Sequence, residues 1–498
     1  MTKRREQARA DRKEKLLFII GKLITIVQIV MSAVTAVLLK QAGLLPDKLM
    51  IPVVIVLIVL IVVFALLMKR KIKMIRFWVG FVLAVLVSAG LGLVDDKLYQ
   101  LTHTLQNITD TREETTRVGV YVLEDDPAQT IEDMPGYTFG ILDTQAREET
   151  DNVVAQINET LGTQIETMSS ADAAGLADAL LAGECNAMIL NEGFVGMITE
   201  TEGYEDFESR IREVTYYEWR AVIEENVDTQ ADADPVNEDG IFTMYISGID
   251  TFGAISARSR SDVNILAVVN TNTRQVLLVS TPRDYYVPLS ISGGARDKLT
   301  HAGIYGVDVS EDTLSMLYDV DIDYYFRVNF SGFEQLIDAL GGITVQSDYR
   351  FDVEPSFHYE EGANYVNGEE ALAFARERYA FAEGDRQRGK NQMAVITGVI
   401  NKMMSPAILK NFSGLLEGLE GSFESDIPYE DLAGLVRMQL AEGGSWNIVT
   451  YSVDGTGKKA STYSMNRQLY VMEPDQSTVD HAKELIRQAE NGETLVQE

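Results

Sequence analysis

The stretch RSRSDVNILAVVNTNTRQVLLVSTPRD, residues 258–284, decides the fold of the larger part of this 498-residue chain. It contains two apolar runs, Val263–Asn270 and Gln275–Ser280, which predict two strands close together in the sequence. Runs that are apolar along their whole length are typical of strands covered on both faces, so we expect a mostly buried sheet. Charged residues stand at the ends of this pair, in RSRSD and in STPRD.

Outward from this pair, strand and helix patterns alternate along the chain. Further strands are predicted at Ile241–Ile246, Ile343–Gln346 and Trp446–Ser452. Helical patterns cover Asp312–Leu317, Gly332–Leu340, Glu369–Arg378, Asn391–Met404 and Ser477–Glu490. This interleaving predicts an α/β sandwich over residues 241–490.

A second, smaller α/β domain is predicted at residues 117–225. Its patterns include strands at Val118–Leu123 and Tyr137–Leu142 and a helix at Arg147–Leu161. The polar residues of this domain form no set that suggests catalysis, so we expect an accessory module that serves for binding or as a spacer. The acidic stretch 226–240 predicts a solvated linker between the two domains.

The first hundred residues predict a membrane anchor. Three apolar runs, Leu16–Leu39, Leu49–Met68 and Ile75–Val94, are each long enough to span a hydrocarbon core of ~30 Å. They define an anchor at 16–94, preceded by a basic tail at 1–15 and followed by a juxtamembrane linker at 95–116. A cleaved signal peptide is the less favoured alternative for the first run, because the run is too long and lacks a cleavage site.

The charges orient this anchor. Lys and Arg cluster before the first run and between the second and third, which predicts a cytoplasmic N-terminus and an extracellular location for residues 95–498 in a multi-pass membrane protein. Residues 1–94 contain 15 Lys and Arg but 4 Asp and Glu, so the remainder carries a net charge of −43 against −32 for the whole chain. An exterior this acidic argues against binding of nucleic acid. The single cysteine, Cys185, excludes an intrachain disulfide and a Cys-rich zinc site.

Arginines nevertheless gather at the predicted strand ends and loops. The set with candidate roles comprises Arg260, Arg283, Arg376, Arg378 and Arg388, and Gln392 follows the last of them. The guanidinium group stays charged and binds phosphate oxygens in pairs, so a set of this size suits a pyrophosphate.

Aspartates complete the predicted site. Asp250 follows one strand and Asp262 precedes the next, so a hairpin-like connection can bring both to one end of the sheet. Carboxylate oxygens without nearby His or Cys suit Mg²⁺, and phosphoryl transfer needs positive charge together with a carboxylate. His301 and His358 are isolated in the sequence and are expected to be structural or surface residues. The spacing of a nucleotide-binding P-loop is absent from the sequence.

Several alternatives stay open at this point. Arg283 and Asp284 can simply pair with each other at the surface. Arg376 and Arg378 can reach one ligand only if their helix ends there, and Arg386 is expected to be solvated if its stretch is extended. The aromatic run at 318–333 fits a sheet core and also an apolar slot.

Seven ordered segments resemble the LytR–CpsA–Psr family. They are ISGID (246–250), RSRSDVN (258–264), STPRDYYV (280–287), DKLTHAGIYG (297–306), DIDYYFRVNFSGFEQLIDALGGI (321–343), NGEEALAFARERY (367–379) and EGDRQRGKNQ (383–392). The three-span anchor and the 117–225 module resemble the capsule-associated branch of that family.

The resemblance implies a membrane-anchored, Mg²⁺-dependent phosphotransferase. Such an enzyme moves a glycopolymer, here a capsular polysaccharide in preference to a teichoic acid, from a polyprenyl pyrophosphate lipid to peptidoglycan through a phosphodiester. Asp250 and Asp262 would bind Mg²⁺, and Asp385 would position an arginine or the acceptor. The residues that would hold the pyrophosphate are Arg260, Arg283, Arg376, Arg378 and Arg388, supported by Gln392.

A non-catalytic regulator or sensor of polymer assembly is the alternative. It would bind the same lipid-linked intermediates without turnover, so a transfer assay separates the two functions.

Overall fold

The computed structural model describes residues 2–41, 43, 47–69, 74–109, 113–222, 240–249, 255–353, 356–405 and 421–497. The chain divides into two compact units. One contains the residues up to Asn107 together with Pro428–Gly444, and the other contains most of the remaining chain.

Long apolar helices make up most of the first unit: α1 (Thr2–Gln41), α2 (Asp47–Leu67) and α3 (Met74–Thr109). Their apolar stretches Glu14–Gln41, Lys48–Leu67 and Met74–Gln100 are each long enough to cross a membrane. This confirms the three predicted spans. Helix α3 runs on through the first part of the predicted juxtamembrane linker. Helix Tyr429–Glu442 belongs to the same unit.

The accessory domain is built on a five-stranded mixed sheet in the order β3-β2-β4-β1-β5. Its strands are β1 (Glu113–Leu123), β2 (Thr138–Leu142), β3 (Glu166–Ser170), β4 (Ala187–Asn191) and β5 (Ile211–Val222). Its helices are α4 (Arg147–Leu161), α5 (Ala173–Ala182), α6 (Glu192–Thr199) and the single turn α7 (Phe207–Arg210). Helix α4 has the predicted bounds, whereas β3 and α6 carry no clear periodic pattern and are absent from the sequence-based prediction.

The larger domain has a six-stranded sheet in the order β16-β11-β6-β7-β8-β17. Its strands are β6 (Ile241–Ile249), β7 (Ser261–Asn270), β8 (Gln275–Ser280), β11 (Tyr324–Val328), β16 (Phe423–Ser425) and β17 (Asn447–Ser452). All six residues of β8 are buried, as the apolar run predicts. The central trio β6-β7-β8 is antiparallel, and β11 and β17 join its two edges in parallel.

Helices cover this sheet and connect its strands. They are α8 (Leu299–Tyr305), α9 (Val307–Tyr318), α10 (Phe330–Ala339), α11 (Gly368–Arg376), α12 (Asp385–Met403) and the C-terminal helix Gln476–Glu490. Leu277 and Val279 of β8 share a core with Leu314 of α9 and Ile486 of the C-terminal helix. The domain is therefore of the predicted α/β class.

Short strand pairs surround the sheet. They are β9 (Tyr286–Pro288) with β10 (Arg296–Lys298), β12 (Ile343–Ser347) with β15 (Gly362–Val366), β13 (Phe351–Val353) with β14 (Phe357–Tyr359), and β18 (Gly455–Ser461) with β19 (Gln468–Pro474). The first of these pairs leads directly into α8, and α8 lies beside the start of β7.

The two domains of the second unit share a hydrophobic core. Ile304 of α8 and Leu469 of β19 are buried in the same cluster as Phe194 and Met197 of α6. The Tyr305 and Phe194 rings meet edge to face, with centroids 6.0 Å apart. The accessory domain is thus packed firmly against the larger domain, although residues 223–239, which include most of the predicted linker, lie outside the described residues.

Candidate active site

Strand pairing brings the first charged residues together. Because β6 and β7 are antiparallel, with Ile249 opposite Ser261, the end of β6 lies beside the start of β7. Asp262, the second residue of β7, is therefore at the end of the sheet that the sequence predicts. Asp250 itself lies outside the described residues, so its predicted proximity to Asp262 stays a prediction.

Strand β8 returns to the same end and delivers Arg283. Ser280 pairs with Ile265, and the Thr281 amide donates to the Asn264 carbonyl at 2.9 Å. Three residues after the strand, Arg283 Nη1 donates to Asp262 Oδ2 at 2.8 Å. The other oxygen, Asp262 Oδ1, accepts from Thr300 Oγ1 at 3.1 Å.

Arg283 is largely buried and does not form the surface pair with Asp284 that the sequence leaves open. Its Nε lies 3.8 Å from Asp284 Oδ2, beyond hydrogen-bonding distance. Asp284 Oδ1 lies instead 3.2 Å from Lys298 Nζ. Burial lowers the pKa of the Arg283 guanidinium, but the charges of Asp262 and Asp284 raise it by more than burial lowers it. The net shift of the pKa is upward, and the group stays charged.

The second group of charges forms where one helix ends and the next begins. Helix α11 ends at Arg376, and Glu377 has extended backbone angles, as the sequence requires if both arginines are to serve one ligand. Helix α12 begins at Asp385, after Gly384 at a φ of 55°. Because α12 starts six residues earlier than predicted, Asp385 and Arg388 fall three residues apart on one helical face.

Asp385 is the carboxylate at the centre of this group. Its Oδ2 accepts from Arg388 Nη2 at 3.2 Å, and its Oδ1 lies 3.6 Å from Arg378 Nη1. The Arg376 guanidinium carbon lies 4.1 Å from the centre of the Phe330 ring, a cation–π contact. The premise of an extended stretch at Arg386 is wrong, because Arg386 lies in helix α12. Its side chain is half exposed and donates to Asp454 Oδ1 at 2.7 Å.

The charge of Arg283, in the first group, affects the pKa of Arg388, in the second. Burial lowers the pKa of the Arg388 guanidinium, Asp385 raises it, and the positive charge of Arg283 lowers it again. The net shift is downward, although Arg388 has a carboxylate partner 3.2 Å away. Arg283, Arg378 and Arg388 share the two carboxylates of Asp262 and Asp385. The arginines therefore outnumber these carboxylates, and an anionic ligand would neutralise the excess positive charge.

Comparison with known proteins identifies the family. The model of the LytR_cpsA_psr family matches residues 212–487, more than half of the chain. The chain belongs to the LytR_cpsA_psr family.

Relatives within this family have curated names. One is the polyisoprenyl-teichoic acid–peptidoglycan teichoic acid transferase TagU of Bacillus subtilis strain 168, 30% identical over 281 residues that cover 54% of this chain and 88% of the relative. Another is the transferase TagT of the same strain, 32% identical over 205 residues that cover 39% of this chain and 62% of the relative. The crystal structure of B. subtilis TagU is 27% identical, with a TM-score of 0.41, and covers 52% of this chain and 99% of that chain.

Two further residues predicted to bind the donor are Gln392 and Arg260. Gln392 lies on α12 four residues after Arg388 and therefore on the same face, half buried. Arg260 precedes β7, and its Nη1 donates to Glu200 Oε1 at 2.7 Å. Glu200 belongs to the accessory domain, which the sequence left without a part in the site.

Lys298 and Thr300 also reach the site, and reasoning from the sequence missed both. Lys298 is nearly fully buried between Glu200 and Asp284. Both residues stand in the DKLTHAGIYG segment, which carries the family resemblance, but their partners Glu200, Asp284 and Asp262 are distant in sequence, so local sequence does not signal them. His301 is buried with its Nδ1 2.7 Å from Asp297 Oδ1, consistent with a structural histidine.

Among the described residues, the structure contains no cluster of three or more His, Cys, Asp or Glu side chains arranged to hold a metal ion. The oxygen chemistry still fits Mg²⁺ at Asp262. Each of its two oxygens accepts one protein hydrogen bond, and a carboxylate oxygen has a further lone pair to offer.

Proposed function

We propose that this LytR_cpsA_psr protein transfers a glycopolymer from a polyprenyl pyrophosphate carrier to a hydroxyl group of peptidoglycan, forming a phosphodiester. The observation that carries the proposal is the convergence of Arg283, Arg378 and Arg388 on two carboxylates, Asp262 and Asp385. The names of the relatives, which are transferases of polyisoprenyl-linked teichoic acid to peptidoglycan, support the same reaction class.

The arginines suit the donor. In the transfer, the acceptor hydroxyl oxygen bonds to the sugar-bearing phosphorus, the bridging P–O bond breaks, and polyprenyl phosphate leaves with the electron pair. Negative charge therefore grows on the leaving phosphate, where guanidinium groups stabilise it. We assign this role to Arg283, Arg376, Arg378 and Arg388, with Arg260 and Gln392 holding the far side of the pyrophosphate.

The carboxylates suit the acceptor. The hydroxyl proton must pass to a base as the new bond forms, and Asp262 and Asp385 are the carboxylates of the described site that can accept it. Their arginine partners orient both groups. An ionised carboxylate at this position accepts a hydrogen bond from the attacking hydroxyl.

Mg²⁺ is proposed as the cofactor, held by Asp262 together with Asp250. When bound, Mg²⁺ would neutralise phosphate oxygens and help to align the donor. Two carboxylates suffice for this purpose, because donor phosphate oxygens and water commonly supply the remaining ligands of Mg²⁺. Transfer is expected to stop in EDTA and to return with added Mg²⁺, and Asp262→Asn is expected to raise the Mg²⁺ concentration required.

The site is proposed to face the outside of the cell membrane. The Lys and Arg distribution around the three spans supports a cytoplasmic N-terminus, and an extracellular site fits a lipid-linked donor that needs no nucleotide triphosphate. Cys185 is buried, so a cysteine introduced by Glu202→Cys at an exposed position can be labelled selectively. A membrane-impermeant maleimide should label it in intact cells and should leave a Lys15→Cys variant unlabelled.

The polymer is proposed to be a capsular polysaccharide. The three-span anchor and the accessory domain support this assignment, whereas the named relatives act on teichoic acid. Full-length protein supplied with each lipid-linked donor separates the two. Faster transfer of the capsular donor supports the assignment, and faster transfer of the teichoic acid donor replaces it while leaving the reaction class intact.

The decisive experiment uses full-length protein in detergent with Mg²⁺, a polyprenyl pyrophosphoryl glycan and peptidoglycan oligomers. Wild-type protein should form the phosphodiester product, and Arg283→Ala and Arg376→Ala should each reduce its rate on the order of 10²-fold. Arg386→Gln is the matched control, since this arginine of α12 pairs with Asp454 instead of joining the cluster. Lipid binding without product would favour the sensor, and undiminished transfer in both alanine variants would exclude the proposed site.

A further inference from the structure

The accessory domain reaches the predicted donor site through one side chain. Glu200 caps the C-terminal end of α6, and only about a fifth of its side chain is exposed. Its Oε1 accepts from Arg260 Nη1 at 2.7 Å, and its Oε2 accepts from Lys298 Nζ at 2.5 Å. Burial raises the pKa of Glu200. The nearby charges of Lys298, His301 and Arg260 outweigh burial and lower this pKa to about 2, so the carboxylate stays charged.

The backbone that carries Arg260 is also held by the accessory domain. The Thr115 amide of β1 donates to the Ser256 carbonyl at 2.8 Å, and the Arg258 amide donates back to the Thr115 carbonyl at 2.9 Å. Beside this bridge, Arg258 Nε donates to the fully buried Glu114 Oε2 at 2.7 Å. Both the chain that leads to Arg260 and its guanidinium are therefore fixed by residues outside the larger domain.

A series of ion pairs links Glu200 to the centre of the site. Lys298 joins Glu200 to Asp284, and Asp284 lies 3.8 Å from Arg283 Nε. Arg283 in turn binds Asp262. A backbone hydrogen bond also joins the Lys298 segment to Arg283, because the Thr300 amide donates to the Arg283 carbonyl at 2.9 Å.

Packing fixes the position of Glu200 against this network. Gly193 at the start of α6 lies so close to Ile304 of α8 that a β-carbon at Gly193 would come within 3.1 Å of the isoleucine. Helix α8 follows Lys298 directly. The helix that presents Glu200 therefore rests on the helix that follows Lys298, and the two groups cannot separate without opening the shared core.

We propose that Glu200 is a positioning residue for the transfer reaction, which holds Arg260 in the geometry that receives the pyrophosphate of the donor and, through the buried Lys298, fixes Asp284 beside Arg283. The accessory domain is then a structural part of the donor site and not only a spacer. This inference rests on the proposed function for its reaction and on the described contacts for its geometry. A Glu200 that merely competed with the donor for Arg260 would have the opposite effect on binding.

The test compares Glu200→Gln with Glu202→Gln in the full-length protein. Glu202 is two residues away, highly exposed and paired with Lys459 of β18, so its variant removes another ion pair between the accessory and the larger domain without touching Arg260. Two readouts are needed, namely the affinity for geranyl pyrophosphate and the kcat and KM of transfer. Thermal unfolding of each variant checks that it is folded.

Glu200→Gln should weaken geranyl pyrophosphate binding and raise the KM for the donor by about 10-fold, since it removes the charged partner of two cations. Glu202→Gln should stay within twofold of the wild type. In an Arg260→Gln background, Glu200→Gln should add little further loss of donor affinity, because the donor-binding partner of Glu200 is already gone and its other partner, Lys298, is buried. Glu200→Asp, which keeps the charge, should recover part of the affinity and guards against a folding defect in the glutamine variant.

Tighter binding in Glu200→Gln, or losses that simply add to those of Arg260→Gln, would overturn the positioning role. Wild-type protein that transfers no polymer would instead overturn the proposed function, and the geranyl pyrophosphate measurements would still decide the role of Glu200. The two failures are thus distinguishable.

Discussion

Two sets of arginines in this protein differ in how their charge is balanced. Arg327 is almost completely buried, with Nη1 2.8 Å from Glu114 Oε1 and Nη2 bonded to Glu424. Arg258 shares Glu114, so two arginines meet two glutamates. At the candidate active site, by contrast, Arg378 and Arg388 share the single carboxylate of Asp385.

The difference separates arginines that stabilise the fold from arginines that we propose bind the donor. A buried cluster must be neutral, because an unpaired charge in the interior is costly. Around Asp385, about a third of the Arg378 side chain is exposed and Arg388 is largely buried, and two arginines share one carboxylate. This group therefore has an excess of positive charge, which an anion can neutralise. Charge balance, and not the presence of arginine, is the feature that marks the site.

The largest effect is expected at the balanced cluster. Arg327→Met removes one charge and leaves Glu424 buried without its partner, so the free energy of unfolding should fall by about 3–5 kcal/mol. Urea unfolding of the full-length protein followed by tryptophan fluorescence measures this loss. Transfer per folded molecule should be preserved, and an unchanged unfolding midpoint would show that the cluster is not structural.

At Arg388, in the group around Asp385, we expect an effect on transfer and not on stability. Arg388→Gln removes a positive charge that burial disfavours and that neighbouring arginines disfavour further, so the unfolding midpoint should be unchanged or higher. Transfer should nevertheless fall on the order of 10²- to 10³-fold, because a donor to the developing charge is lost. The proposed contrast between the two sets of arginines would be wrong if Arg388→Gln lowered the free energy of unfolding as much as Arg327→Met and left the transfer rate of the folded protein unchanged.

An intermediate effect is expected at Glu200, which is partly buried and paired with two cations. Its pKa is lowered from an ordinary 4.5 to about 2, so its stabilising contribution is complete above about pH 4.5 and disappears as the pH falls through about 2. The contribution is about 2 kcal/mol after allowance for solvent screening. Acid unfolding of the wild type should therefore be steeper over this interval than that of Glu200→Gln. Parallel curves for the two proteins would refute the assigned ion pairs.

The smallest effect is expected at an exposed pair. Arg386→Gln removes the contact with Asp454, in which about half of each side chain is accessible to solvent. The free energy of unfolding should change by about 0–1 kcal/mol. Transfer should stay within twofold of the wild type. A loss of activity comparable with that of Arg388→Gln would extend the functional set to this arginine.

Reasoning from the sequence located most of the elements that carry the site. The strands β7 and β8 are found where their patterns predict, and α11 ends two residues before the predicted Arg378, because a buried strand or an amphipathic helix has a period that local sequence displays. The start of α12 was predicted too late. The polar residues Asp385–Lys390 have no apolar period, so only the backbone turn at Gly384 reveals that the helix has begun.

The partners of the arginines were far less predictable. Glu114 and Glu200 lie more than fifty residues from the arginines that they bind, in a domain whose sequence suggests no chemistry. Ion pairs between distant residues leave no periodic signal, because nothing in the local sequence distinguishes a glutamate that forms such a pair from one that does not. Arg386 is half exposed, as expected, but the extended stretch assumed for it is wrong, because it lies in α12.

The sequence by itself determined the three membrane helices, the α/β class of the larger domain and the set of arginines that suits a pyrophosphate. These features follow from composition and from short-range periodicity, which do not depend on what the distant chain does. Only the tertiary structure decided which arginines are neutralised in the interior and which surround Asp385. It also decided that the accessory domain contributes Glu200 beside the site, because burial and charge pairing are set by the packing of elements that are far apart in the chain.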